Sequence, residues 1–332
     1  MQRVTFGSMP SSFVKVLKFG GSSVGSAESL ARVASIIRGE AAACRPVVVV
    51  SALAGVTDLL VSLIDSKDPE TIIARLAKRH IELAEAVLDG RRRYSYLRTI
   101  GGILDGLRER CQLPDNGFRS ASILATGELL SAPLVAGLLT QEGVVAQAID
   151  ARRLVVTGPK GVDRIQTRQR IRAWFEDLSR FVLPIVTGFV ASDEEGNTSV
   201  LGRGGSDYTA SLFAEAVEAA KFDRWTDVDG LYTADPNKVK GAGKFLFLLL
   251  EDASSWNESS ALGMHTEAFV PVLEACIPVH VRSTRFPQGD GTLILPRLLP
   301  GRIERDSRRQ LAHANHTPQI APTTEARING FQ

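Results

Sequence analysis

The segment VKVLKFGGSSV, residues 14–24, constrains the fold more than any other part of the sequence. An apolar strand runs directly into Lys18 and a glycine pair, and the chain then opens a helix. Glycine has no Cβ, so phosphate oxygens can approach the backbone N–H groups of Gly20 and Gly21, and the positive end of the following helix favours the same charge. We therefore predict an anion-binding turn after a buried strand, with Lys18 supplying a full positive charge.

A second segment, LGRGGSDYTASLFAEA at 201–216, repeats this arrangement. Arg203 supplies the cation, Gly204 lies at the turn, and Ser206 and Asp207 open the helix. Neither segment matches G-x-G-x-x-G after a strand or G-x-x-x-x-G-K-[ST], which disfavours a dinucleotide-binding or P-loop interpretation. Two such turns indicate one site for a donor phosphate and another for an acceptor anion.

Short apolar runs alternate with longer stretches of helical periodicity, a pattern typical of a mainly parallel sheet between layers of helices. The predicted fold class is α/β, a three-layer αβα sandwich. The six predicted strands have the sequences VKVLKF, PVVVVSA, VVAQAID, FVLPIVTGF, KFDRWTDV and IPVHVRS. Ligands of such sheets bind at the carboxyl ends of the strands, and we expect the site there.

A long stretch at about 62–142, rich in Leu, Ala, Arg and Glu, is predicted to be a helical insertion between the second and third strands. Insertions of this kind are more typical of packing or subunit contact than of chemistry. Glu128 nevertheless lies among apolar residues on a predicted helix, where a carboxylate is costly unless it is paired or faces a site. Further on, DEEGNTSVLG from Asp193 predicts a hairpin-like connection that forms the hinge between two lobes.

Composition argues against several classes of function. The 39 basic and 37 acidic residues give a net charge of +2, so electrostatics offers no reason to expect a nucleic-acid or membrane partner. Cys44, Cys111 and Cys276 form no C-x-x-C pair, which argues against a disulfide framework or a zinc site. The N-terminus lacks a secretory h-region, and we expect no membrane-spanning run of 18 or more apolar residues; the expected location is cytoplasmic.

Five segments, taken together and in order, resemble the catalytic part of the aspartokinases in the amino acid kinase superfamily. They are KFGGSSV at 18–24, VVVVSALAGVTDLL at 47–60, GELLS at 127–131, VTGFVASDEEGNTSVLGRGGSDYTA at 186–210 and WTDVDGLYTADP at 225–236. The resemblance implies an amino acid kinase-like fold. It also implies an N-terminal lobe at 1–200 that binds the amino acid and a C-terminal lobe at 201–295 that binds ATP, followed by a tail at 296–332 that we predict to be flexible.

The resemblance implies transfer of the ATP γ-phosphoryl group to the side-chain carboxylate of L-aspartate, giving 4-phospho-L-aspartate in the aspartate pathway of amino-acid biosynthesis. A carboxylate is already a nucleophile at neutral pH, so catalysis reduces to positioning two anions and neutralising the moving phosphoryl group. By resemblance, Lys18 contacts that group and Asp207 orients the lysine. These two are the predicted catalytic residues.

The resemblance also implies two sets of binding residues. Arg203 would grip the α-carboxylate of the substrate and Glu128 would pair with its α-ammonium group. The full substrate-binding set is Ser51, Thr57, Glu128, Phe189, Arg203, Gly204 and Ser206. The ATP-binding set is Lys18, Gly20, Gly21, Ser22, Thr226, Asp227, Tyr232 and Lys238. Mg²⁺ would arrive with ATP, held by phosphates and water, and we predict no protein metal ligand.

The sequence departs from the family pattern at two cations. Where the family has an arginine on the nucleotide side, this chain has Asn237, with Lys238 and Lys240 close in sequence. Where the family has a lysine that neutralises the phosphates, near Leu262, this chain has no lysine. Two alternatives therefore stay open: a different carboxylate acceptor in a specialised pathway, and a degenerate nucleotide-binding subunit without turnover. About 38 residues follow GTLI at 291–294, so we expect no paired ACT regulatory domains, and a homodimer, if formed, would use the helical insertion.

Overall fold

The computed structural model describes residues 13–114, 117–234, 239–249 and 265–295. Its strands are β1 (Val14–Phe19), β2 (Arg45–Val50), β3 (Ala146–Ile149), β4 (Thr157–Gly158), β5 (Gly161–Val162), β6 (Leu183–Thr187), β7 (Val190–Ser192), β8 (Thr198–Val200), β9 (Lys221–Thr226), β10 (Leu231–Tyr232), β11 (Lys244–Phe245), β12 (Phe247–Leu249), β13 (Val279–Ser283) and β14 (Thr292–Leu295). Its α-helices are α1 (Ala27–Ala43), α2 (Val56–Ile64), α3 (Pro69–Val87), α4 (Gly90–Gln112), α5 (Arg119–Leu124), α6 (Thr126–Gln141), α7 (Arg164–Asp177), α8 (Gly205–Ala216) and α9 (Val270–Glu274).

Eight strands form one sheet in the order β12-β14-β13-β9-β1-β2-β6-β3. Neighbouring strands are parallel except for β13 and β14, which pair antiparallel. All six predicted strands are present in this sheet, which confirms the α/β class. Because β1, β2, β6 and β9 run in the same direction, their carboxyl ends meet at one edge, where ligands of open α/β sheets bind.

Helices cover both faces of the sheet, as the alternation within the strands requires. On β1, Leu17 and Phe19 pack into a core shared with α1 to α4 and α6, whereas Val16 packs into a second core with α7 and α8. Both cores consist of aliphatic and aromatic side chains with little or no exposure. The three-layer prediction is confirmed. Lys18 has the same parity as Val16, and its side chain therefore reaches the α8 side of the sheet.

The start of α1 shows how local sequence fixes an element next to the glycine turn. The Ser26 hydroxyl accepts a hydrogen bond from the Ser29 backbone N–H (3.2 Å), and the Ser29 hydroxyl accepts one from the Ser26 N–H (3.0 Å). This reciprocal capping box satisfies two N–H groups that the helix leaves unpaired. It holds α1 immediately after the short 3₁₀ turn Gly21–Ser23.

The predicted helical insertion and the predicted hairpin are both present. Helices α2 to α6 occupy the insertion, and β7 pairs antiparallel with β8 across the polar segment that follows Asp193. The strands β3, β1, β2 and β6 come from residues 1–200, and β9, β12, β13 and β14 come from 201–295. The assignment of separate binding roles to these two halves stays a prediction. The predicted tail at 296–332 lies outside the described residues.

One helical stretch bears on the expectation about membrane-spanning runs. In the part of the chain that the structure describes, residues 119–141 form one helical stretch that is long and apolar enough to span a membrane by length and composition. The stretch comprises α5 and α6. Because polar residues such as Glu128 and Ser131 interrupt it, it is not a continuous apolar run in the sequence. Because 72% of its most apolar window is buried inside the protein, its apolar side chains form part of the core.

Candidate active site

A buried ion pair lies where β1 meets α8. The Lys18 Nζ atom is 2.8 Å from the Asp207 Oδ1 atom, and the Arg224 Nε atom donates to the other carboxylate oxygen at 3.1 Å. Lys18 is 8% exposed and Asp207 is 5% exposed. Asp207 belongs to the first turn of α8, where the helix dipole favours a negative charge. The two predicted catalytic residues are thus in direct contact.

The charges of this cluster are set by burial and by one another. Burial lowers the pKa of the Lys18 ammonium, and the Asp207 carboxylate opposes that shift. Burial alone would raise the pKa of Asp207, but the nearby Arg224 and Lys18 outweigh it and lower the value. The Asp207 carboxylate therefore pairs with two cations, Lys18 and Arg224.

The glycine turn brings the backbone close to the lysine and to the loop after β2. A Cβ at Gly20 would lie 3.9 Å from the Lys18 Nζ atom, and a Cβ at Gly21 would lie only 2.7 Å from the Ala52 carbonyl oxygen. The turn is also tied to the next strand because the Ala54 N–H donates to the Gly21 carbonyl oxygen (3.1 Å). The Gly20 N–H donates to a carbonyl oxygen on β9 at 3.4 Å, so phosphate binding by this group would replace an existing hydrogen bond.

Glu128 lies in the first turn of α6 and is 4% exposed. Burial raises the pKa of its carboxyl group to about 8, although the backbone N–H groups of Ala52 and of Glu128 itself and the charge of Lys18 favour the ionised form. The Ser131 hydroxyl donates to the Ser51 carbonyl oxygen at 2.8 Å, which docks α6 on the end of β2. The predicted buried carboxylate therefore lies beside the loop that contacts the glycine turn.

The remaining predicted acceptor residues occupy turns at the same edge of the sheet. Ser51 follows β2 directly, and Thr57 is exposed in the first turn of α2. Phe189 links β6 to β7 with a φ of 67°, an uncommon value for a side chain with a Cβ, and its N–H donates to the Thr209 hydroxyl on α8 at 3.0 Å. Strained backbone of this kind is maintained by its surroundings and is often found at functional sites.

The turn before α8 contains the other predicted substrate residues. Arg203 is exposed, and Gly204 caps the helix with a φ of 70°. A Cβ at Gly204 would lie 3.0 Å from the His265 Cβ atom, so the segment at His265 packs against the start of α8. Ser206 packs closely against Gly188, where an added Cβ would meet it at 2.7 Å.

Two of the predicted ATP-binding residues line one polar cleft of about 510 Å³, with Arg32 and Arg285 at its other sides. These residues are Ser22 and Asp227, and the neighbouring Thr226 hydroxyl donates to the Asp227 carboxylate at 3.1 Å.

Tyr232 lies on β10, and its hydroxyl donates to the Asp229 carboxylate at 2.6 Å, which raises the pKa of the phenol to about 12. Lys238, Asn237 and Leu262 lie outside the described residues.

Sequence reasoning missed Arg224. On β9 it has the same parity as the buried Phe222, so a strict alternation of the strand would have placed a charged side chain on the α8 face. That misfit was the available signal, because a charge on a buried strand face requires a partner. Among the described residues, no group of three or more His, Cys, Asp or Glu side chains is arranged to hold a metal ion.

Comparisons with known proteins identify relatives of this chain. Lysine-sensitive aspartokinase 3 of Escherichia coli (strain K12) is 34% identical over 85% of this chain and 64% of its own length. The aspartokinase of Chlamydia pneumoniae is 31% identical over 84% of this chain and 62% of its own length. The chain thus spans less than two thirds of these relatives.

The crystal structure of E. coli aspartokinase III in complex with aspartate and ADP superposes with a TM-score of 0.78 and 31% sequence identity, over 86% of this chain and 65% of that one. Residues 14–283 match the amino acid kinase family, which includes every strand from β1 to β13. The predicted amino acid kinase-like fold is confirmed, and this chain belongs to the amino acid kinase family.

Proposed function

We propose that this protein is an ATP-dependent aspartate kinase that phosphorylates the side-chain carboxylate of L-aspartate. The observation that carries the proposal is the buried Lys18–Asp207 ion pair (2.8 Å) at the end of β1, with Glu128 buried nearby. A cation at the strand end suits a transferring phosphoryl group, and a buried carboxylate suits the ammonium group of an amino acid. The E. coli relative crystallised with aspartate and ADP supports both ligands.

In the proposed reaction, an oxygen of the substrate's side-chain carboxylate attacks the γ-phosphorus of ATP. The bond from that phosphorus to the β–γ bridging oxygen breaks, and ADP leaves with the electron pair. No proton is removed from the nucleophile, because the carboxylate is already ionised at neutral pH. The Lys18 ammonium compensates the charge on the moving phosphoryl oxygens, and Asp207 keeps that ammonium ionised and aimed into the site.

Two charged side chains would recognise the two charged groups of the amino acid. Glu128 binds the α-ammonium group, Arg203 binds the α-carboxylate, and the turns at Ser51, Thr57 and Phe189 border the acceptor. Gly204 and Ser206 hold the turn that presents Arg203. A substrate ammonium group favours the ionised form of Glu128, so binding of aspartate would lower the raised pKa of this carboxyl group.

ATP would bind through the Gly20–Gly21–Ser22 turn and through Thr226, Asp227 and Tyr232, with Lys238 contacting the phosphates. Mg²⁺ would be carried by the nucleotide, since this ion retains its water shell and prefers phosphate oxygens. The Lys18 ammonium at the end of β1 supports an anionic donor at this edge of the sheet. A homodimer formed through the helical insertion belongs to the same proposal.

An acceptor panel tests the proposal and separates its alternatives. The protein with ATP and Mg²⁺ should release ADP with L-aspartate, and hydroxylamine should trap the acyl phosphate as aspartyl hydroxamate. N-acetyl-L-aspartate, which lacks the ammonium group, and L-asparagine, which lacks the side-chain carboxylate, should be inactive. Turnover with a different carboxylate alone would favour a changed acceptor. ATP binding without turnover on any acceptor would refute the kinase and favour a non-catalytic subunit.

A further inference from the structure

A cavity of about 410 Å³ lies between α4, α6 and the edge strand β3, separate from the residues assigned above to the two substrates. Apolar side chains line part of it, with Ile103 from α4, Leu129 and Pro133 from α6, and Ala148 from β3. Two guanidinium groups, from Arg110 and Arg152, and the Asp150 carboxylate also line it. The cavity therefore combines apolar side chains with two cations and one anion.

The two arginines differ in whether a neighbouring group compensates the guanidinium charge. Arg152 is neutralised by Asp150, which accepts from its Nε atom at 3.0 Å and from a terminal nitrogen at 2.6 Å. The Arg152 guanidinium also donates to the Thr198 hydroxyl at 3.1 Å. Within the described part of the chain, the Arg110 guanidinium has no ion-pair or hydrogen-bond partner, and its Nη1 atom is buried.

Arg110 is unusual among the arginines of this protein. Other described arginines with a buried, unpaired nitrogen each make an ion pair or a hydrogen bond through another nitrogen; they are Arg32, Arg45, Arg119, Arg164 and Arg282. Burial lowers the pKa of Arg110, and the charge of Arg152 lowers it further. Arg110 is partly buried, and a guanidinium nitrogen buried without a partner is costly because its lost hydration is not replaced.

We propose that this cavity binds a small carboxylate with a branched aliphatic body, whose charged end pairs with Arg110. A planar guanidinium matches a carboxylate with two parallel hydrogen bonds, and the aliphatic walls would cover the rest of the ligand. Inorganic phosphate shares the charge but would leave those walls uncovered. The ligand would contact Leu129, the residue after Glu128, and Thr187, which precedes the Gly188–Phe189 turn.

The test uses the full chain without ATP or aspartate, so its outcome is independent of the proposed kinase activity. Calorimetric titration with 4-methylpentanoate should give saturable binding, whereas the neutral amide 4-methylpentanamide and inorganic phosphate should each bind at least about tenfold more weakly. An Arg110→Met variant should lose about tenfold or more in affinity for 4-methylpentanoate. Arg98→Met, at an exposed position on the same helix, should bind as the wild type does.

Three results would overturn the proposal. One is the absence of binding at about 10 mM 4-methylpentanoate, well above the dissociation constant that a guanidinium–carboxylate pair with apolar contacts should give. Another is equal affinity for the acid and its amide, which would show that Arg110 contributes nothing. The third is unchanged binding by Arg110→Met. Thermal unfolding of both variants checks that they fold, and the ligand should raise the midpoint of wild type and Arg98→Met only.

Discussion

Glu128→Gln removes a buried ionisable group from the residues assigned to the substrates. The Glu128 side chain is 4% exposed, and burial raises its pKa from the ordinary 4.5 to about 8. In the unfolded chain the carboxyl group loses its proton near pH 4.5, while in the folded protein it retains the proton until about pH 8. Stability from this group is therefore fully present below pH 4.5 and is lost as pH rises towards 8.

The size of the effect follows from the two pKa values. Their difference corresponds to about 5 kcal/mol between pH 4 and pH 9, and to about 3 kcal/mol at pH 7. Glutamine has nearly the same shape and does not titrate. The variant should therefore match the wild type in free energy of unfolding at pH 4, and should exceed it by up to about 3 kcal/mol at pH 7.

Urea unfolding of both proteins from pH 4 to pH 9 measures this difference. Glu142→Gln, at a half-exposed position at the end of the same helix, is the matched control and should show no comparable pH-dependent gain. The Glu128 variant should also bind aspartate more weakly, because an amide cannot pair with an ammonium group as a carboxylate does. A constant difference between Glu128→Gln and wild type across the pH range would refute the reasoning.

Two further predictions concern packing and a buried histidine. Gly21→Ala would place a Cβ 2.7 Å from the Ala52 carbonyl oxygen and should lower the free energy of unfolding in urea by about 1–3 kcal/mol. Gly39→Ala is the control, because an added Cβ there meets no atom within 4 Å, and it should not destabilise the protein. Equal effects of the two substitutions would contradict the close contact at Gly21. Burial lowers the pKa of His80 to about 4, so the protein should lose up to about 3 kcal/mol as pH falls from 6.5 to 4. His80→Asn, which keeps a polar partner for Tyr96, should flatten that slope in the same assay, and an unchanged slope would assign it to other groups.

Much of the fold could be predicted from the sequence because parallel strands buried on both faces are continuous apolar runs. PVVVVSA is of this kind, and VKVLKF is interrupted only by Lys15 and Lys18; both are central strands. The short strands β12 and β14 were missed, since three or four residues carry too little periodicity to distinguish a strand from a loop. Their place in the sheet depends on tertiary contacts, because β14 pairs with β13 and β12 pairs with β14.

The site was predictable where the residue type and the local turn agree. Lys18 beside two glycines and Asp207 at a helix start have local reasons for their positions, and the structure joins them. Glu128 stood out as a carboxylate in an apolar helix. Arg224 had only its misfit on a buried strand face as a signal and Arg110 had none, because their surroundings come from α8 and from β3, far away in the sequence.

The most direct test of the proposed kinase site is aspartyl hydroxamate formation from ATP and L-aspartate by wild type, Lys18→Met and Lys15→Met. Lys15 lies on the same strand and pairs with Glu40 at 2.7 Å, away from the Asp207 carboxylate, so it is a matched control. Lys18→Met leaves Asp207 paired with Arg224, which favours retention of the fold. We expect Lys18→Met to lower kcat by about 10²-fold or more and Lys15→Met to stay near wild type. Undiminished turnover by a folded Lys18→Met protein would contradict the assignment of phosphoryl transfer to this site.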